Sequence, residues 1–137
     1  MDMYPAIINS PETTLSQDIT DLSSEIVVED GNKLPPAPNL ATIGYDTAEA
    51  ETVLYRTKVG NTLTEVVRGF QGQARPWNSG AVISRMFTAY DHDTFLQSIR
   101  AVENDVDSIK DSIDELQIPT SARIIVGTSA SGWTAKD

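Results

Sequence analysis

The chain is predicted to be mainly β, a small antiparallel β-sandwich-like domain, followed by one long C-terminal α-helix that joins copies of itself in a parallel, trimeric coiled coil. Three observations predict this. Short runs rich in β-branched and aromatic residues, punctuated by Gly, Pro and Asn, fill the first two thirds of the sequence. From Phe95 to Leu116 the apolar residues are spaced 4, 3, 4, 3, 4, 3 without a slip, which is the signature of a coiled-coil seam. A proline at 119 then ends the helix, because it can neither donate to it nor fit within it.

The elements follow in order. Residues 1–20 are rich in Pro, Ser and Thr and read as an N-terminal arm or edge strand. Residues 21–90 form the β-rich domain. Within it, Ile26-Val27-Val28 is a short apolar run closed by the turn pair Asp30-Gly31. LPPAPN is a rigid connector, since consecutive prolines hold an extended form, and NLATIG resumes a strand. The sharpest local signal is ETVLYRTKVGNTLTEVVRGF, two strand-like runs around Gly60-Asn61, both tolerant of positive φ and suited to a tight hairpin. Alternation puts Val53 and Tyr55 on one face of the first strand, and Leu63, Glu65 and Val67 on one face of the second, where Glu65 spoils the pattern. AVISRMF makes a last strand. Asp91 or Asp93 then caps a helix starting near Thr94, within a coiled-coil segment of residues 91–118. Residues 119–137 read as a short β segment.

The seam consists of Phe95, Ile99, Val102, Val106, Ile109, Ile113 and Leu116. With Ile99, Val106 and Ile113 at a and the others at d, the a positions are β-branched, but only one d position is Leu, and no Asn occupies a. That composition moves the preference from two strands towards three. Asp105 at g and Lys110 at the following e form a possible ion pair between chains. A competing reading folds the helix back on its own β domain.

The net charge is −10 and the sequence has no cysteine. The first argues against a nucleic-acid partner, which needs clustered Lys and Arg; the second excludes disulfide frameworks and thiolate chemistry. Residues 91–118 carry eight acidic side chains against Arg100 and Lys110, as expected of a solvated helix face. No run of about 18 apolar residues is present to cross a membrane, and MDMYPAIINSPETT shows neither the basic nor the apolar region of a secretory leader. The residues mark no catalytic site, metal site or cofactor. His92 stands alone between Asp91 and Asp93, and no nucleophile elbow or phosphate loop is present. Phe70, Trp77, Phe87 and Tyr90 are close in sequence and read as core and as a joint between sheet and helix. Trp77 with Asn78 is the place to look for a carbohydrate contact.

The segment ETVLYRTKVGNTLTEVVRGFQGQARPWNSGAVISRMFTAYDHDTF resembles one recurrent in bacteriophage tail, baseplate and appendage proteins. The shared elements are Gly60 to Leu63, Arg68 to Gly72, Trp77, and Phe87 to Asp93 before a helix. The likeness covers roughly residues 1–95 and looks closest to small tail-tip proteins of Bacillus siphophages. It is also similar to the N-terminal shoulder domain of lactococcal phage receptor-binding proteins. The resemblance implies a virion protein assembled in the bacterial host cytoplasm. Residues 21–90 would be the attachment domain of a homotrimeric receptor-binding organ or spike, docked on other tail, baseplate or neck proteins. RIIVGTSASGWTAKD looks like the opening of the β-helix domains of tail spikes. No β-helix repeats follow, so this segment is expected to be non-enzymatic, with any host polysaccharide binding or depolymerase activity belonging to a further domain. A carbohydrate-binding module and the N-terminal fragment of a depolymerase are the alternative readings.

Overall fold

A computed structural model describes residues 2–116. The strands are β1 (Glu12–Thr14), β2 (Ile26–Val27), β3 (Asn39–Ile43), β4 (Glu51–Val59), β5 (Thr62–Gln71) and β6 (Val82–Ser84), followed by the 28-residue helix α1 (Ala89–Leu116). The expected 119–137 segment lies outside the described residues.

The strands form a single antiparallel sheet in the order β1-β6-β3-β4-β5-β2. Its two edges come together at an isolated bridge between Leu15 and Val28, where the Ser16 N–H donates to Val27 at 2.9 Å and the Glu29 N–H to Thr14 at 2.9 Å. One sheet curled on itself therefore replaces the expected sandwich. Two short edge strands are each satisfied by the other, so little open ladder remains. The stretch expected as an arm or edge strand supplies β1 and the closing bridge.

β4 and β5 form the predicted hairpin, with Val59 paired to Thr62 across Gly60-Asn61. Only Gly60 takes positive φ, at 59°, as a first-position glycine does in a type II′ turn. Asn61 instead uses its side chain, whose Oδ1 accepts from the Gly31 N–H at 2.7 Å. The expected face of β5 needs correction. Glu65 itself sits at φ 50° and is exposed, so the alternation breaks there. Leu63 and Val66, three apart, both enter the core, whereas Val67 does not belong to it. Across the break, the Val66 N–H donates to Ser24 rather than continuing the β2 register.

The inside of the curl is filled by Leu15, Ile26, Leu34, Ile43, Val53, Tyr55, Leu63 and Ile83, all at most 1% exposed. Val53 and Tyr55 share this face as expected. Burial pushes the Tyr55 hydroxyl pKa up, and the hydroxyl donates to Pro35 at 2.6 Å, so the one polar group of that large ring is satisfied inside the core.

The helix begins at Ala89, five residues earlier than expected. Neither Asp91 nor Asp93 is the cap. Thr88 precedes the helix, and its Oγ1 accepts from the Asp91 N–H at 3.2 Å, while the Asp91 carboxylate accepts from the Thr88 N–H at 2.9 Å. This reciprocal pair is a capping box, with Asp in place of the commoner Glu. The chain divides into two compact units between Phe95 and Leu96, so the first turns of α1 belong to the β unit.

Candidate functional site

The seam residues all lie on α1, and every one is exposed, from 42% at Val106 to 80% at Leu116. From Ala101 to Leu116 every described residue is exposed. An amphipathic helix normally hides its apolar stripe; here the stripe is bare within one chain. Asp105 and Lys110 are exposed too, and at a separation of five they are not neighbours on one helix.

Where the helix begins, a buried charge cluster has formed that sequence reasoning missed. Arg85 and Asp91, 3% and 2% exposed, meet in a bidentate pair with both N–O distances 2.8 Å. The Arg85 Nε also donates to Asn39 Oδ1 at 2.7 Å, and its Nη1 to the Met86 carbonyl at 2.6 Å. Burial by itself would push the Asp91 carboxyl up, but the Arg85 guanidinium and the Thr88 N–H outweigh it and hold the carboxyl below its ordinary value. The same arginine ties down the N-terminal strand of chain: Nη2 donates to the Tyr4 carbonyl at 2.9 Å and Nε to Pro5 at 3.3 Å. Asn39 Nδ2 donates to Pro5 at 2.9 Å and the Tyr90 hydroxyl to Asp2 at 2.6 Å. Tyr4 stacks on Tyr90 at 5.9 Å and Phe70 meets Tyr90 edge-on at 4.9 Å.

A second buried carboxylate, Glu51, organises the other end of the β4–β5 hairpin. Completely buried, it accepts from Arg68 Nε and Nη2 at 2.8 and 2.9 Å, from the Gly69 N–H at 2.9 Å and from Trp77 Nε1 at 3.0 Å. Burial pushes this carboxyl up as well, and the Arg68, Gly69 and Trp77 donors more than reverse it, so its pKa is lowered. Arg68, Gly69 and Trp77 thus converge on one side chain.

Trp77 is half-buried, packed against the core, with Arg75 5.5 Å from its ring centroid. A Cβ on Gly44 would stand 2.4 Å from that ring, so glycine is required there. The indole N–H is occupied by Glu51, and the neighbouring Asn78 is exposed. The four aromatics close in sequence separate in space: Trp77 goes to Glu51, Phe70 and Tyr90 meet each other, and Phe87 lies 6.0 Å from Phe95.

Three of the four cations between Lys58 and Arg85 are engaged inside the domain, and the fourth, Arg75, is exposed. Lys58 Nζ donates to the carbonyls of Gly31 and Leu34 at 2.6 and 3.0 Å, Arg68 pairs with Glu51, and Arg85 with Asp91. His92 is exposed, with its Nδ1 3.4 Å from Asp93. Among the described residues no group of three His, Asp or Glu is placed to hold a metal ion, and no helix is long and apolar enough to cross a membrane. Compared with known proteins, the chain matches no family model and no curated protein.

Proposed function

We propose that this chain is a structural protein of a bacteriophage tail or appendage. Its β domain would attach to the particle, and its helix would hold three copies together as the stem of a receptor-binding organ or spike. The observation that carries the assembly half of this reading is the bare seam. Seven apolar side chains in unbroken heptad spacing are exposed on one helix. Each such side chain gains roughly 1.5–3 kcal/mol on full burial, and most helical stability comes from packing an amphipathic face rather than from propensity. The virion half rests on the likeness of residues 1–95, whose Arg68, Gly69 and Trp77 meet around Glu51. Nothing in the geometry of Trp77 and Asn78 favours the carbohydrate-binding reading.

Native mass spectrometry or light scattering tests the assembly. A mass of three chains is expected, and a single-chain mass at micromolar concentration would refute it. The Val106→Asp, Ile109→Asp double variant is expected to run as one chain; an unchanged mass would show that the seam is not the interface.

A further inference from the structure

A hollow of about 430 Å³ opens where the helix leaves the β unit. Arg85 and Asp91 line it, but both are fully engaged with each other and with Asn39, Thr88 and the N-terminal carbonyls. The rest of the lining is largely apolar, with Met3, Pro5, Met86, Phe87 and Phe95 the large groups, and only Tyr4 and Ser10 carry hydroxyls. A charged ligand would find no unpaired counter-charge there, since Arg85 and Asp91 hold each other, and its desolvation would go largely uncompensated. Phe87 stands 67% exposed beside it, and Met3 and Phe95 are more than two-fifths exposed. Large exposed apolar groups gathered round one concavity mark a contact surface.

The position of Phe95 says what covers it. Phe95 is at once a wall of the hollow and the first residue of the seam. In an assembly zipped along that seam, the Phe95 side chains pack round the axis, and the hollow they wall faces the neighbouring copy. We propose that Phe87 of a second copy fills it, so that the β domains join in an apolar collar just before the coiled coil begins. A Phe on each copy entering a hollow on the next is a heterologous contact, and repeated round a three-fold axis it closes. The collar rests on the trimer proposed above and supplies contact area that a seam of seven residues lacks.

The test uses the full chain. Phe87→Ser removes an exposed ring, so the β domain is expected to keep its circular dichroism. The monomer–trimer midpoint, read by sedimentation, should rise roughly 50- to 2,000-fold, because each trimer loses three buried Phe side chains and its midpoint varies as the square root of its dissociation constant. Val59→Ser, which removes an exposed apolar side chain at the β4–β5 turn, should leave it unchanged. A second measurement does not depend on the size of that shift. The 137-residue sequence has no cysteine, so Phe87→Cys reports alone. Its thiol should react slowly with a bulky maleimide in the assembly and quickly once Val106→Asp and Ile109→Asp are added. If the parent chain is trimeric but Phe87→Ser leaves the midpoint where it was and the thiol reacts equally fast in both backgrounds, the collar is refuted while the seam stands. If the parent chain is a monomer, both fall. A small apolar additive that protects the thiol in the monomer would mark the hollow as a ligand site and overturn the collar.

Discussion

The β unit and the helix beyond it handle the same two problems, apolar surface and charge, in opposite ways. In the β unit the large aliphatic residues disappear inside the curl, and two carboxylates, Glu51 and Asp91, are buried with an arginine apiece. Along the helix after Phe95 the aliphatic stripe is bare and the acids are solvated. The first hides its large apolar groups within the chain; the second leaves them exposed. A buried ion pair of the first kind is weak evidence of added stability, since the desolvation of both ions opposes it. What the Arg85–Asp91 pair does visibly is join the residue after β6 to the first turn of α1.

That contrast can be broken, and the largest effect is expected on the helix. In the Val106→Asp, Ile109→Asp chain the assembly should be lost altogether. Near-ultraviolet circular dichroism of the β unit should be retained, since none of its core residues is touched. Loss of both signals together would mean that the β unit needs its neighbours. Next in size is Arg85→Met, which strands the Asp91 carboxylate in a buried site and should cost about 3–5 kcal/mol in urea unfolding. The Arg85→Met, Asp91→Leu chain should recover much of that loss. A double variant no better than the single would place the cost elsewhere.

Acid should act on the β unit first. Glu51 and Asp91 have folded pKa values below their ordinary 4.5 and 3.8. The stability they contribute is complete above those ordinary values and drains away as the pH falls through the depressed folded ones. The unit should therefore unfold on acidification, and Glu51→Gln should flatten the dependence of its melting temperature on pH below about 4.5. An equally steep dependence would acquit Glu51. The smallest effect is Lys110→Ala, which removes the pair with Asp105 and should weaken the assembly by about 0–1 kcal/mol, less at high salt. A loss several times larger would make that pair a buried one.

What could be seen in the sequence was what is local. The heptad stripe and the Gly60 turn are each complete within a few residues of chain, and the strands near 26, 39, 51, 62 and 82 announce themselves by composition. The curl could not be seen, because it depends on Leu15 finding Val28 and on β6 lying between β1 and β3. Glu65 was visible only as a blemish in the alternation; the positive φ that explains it is a backbone property. The buried carboxylates were hidden for a different reason. Charged residues are read as surface by default, and Glu51 meets Arg68 across 17 positions. Asp91 had a signal that went unused: TAYD has a Thr three residues before an acid, the spacing of a capping box.

The Arg85–Asp91 bond has a mechanical consequence. It links the last strand to the first turn of the helix, and through Arg85 and Tyr90 the same joint grips Asp2, Tyr4 and Pro5. A pull on the helix would not reach β6 alone, a strand of three residues held between β1 and β3. It would be shared among the first turn of the helix, the sheet and the opening residues of the chain.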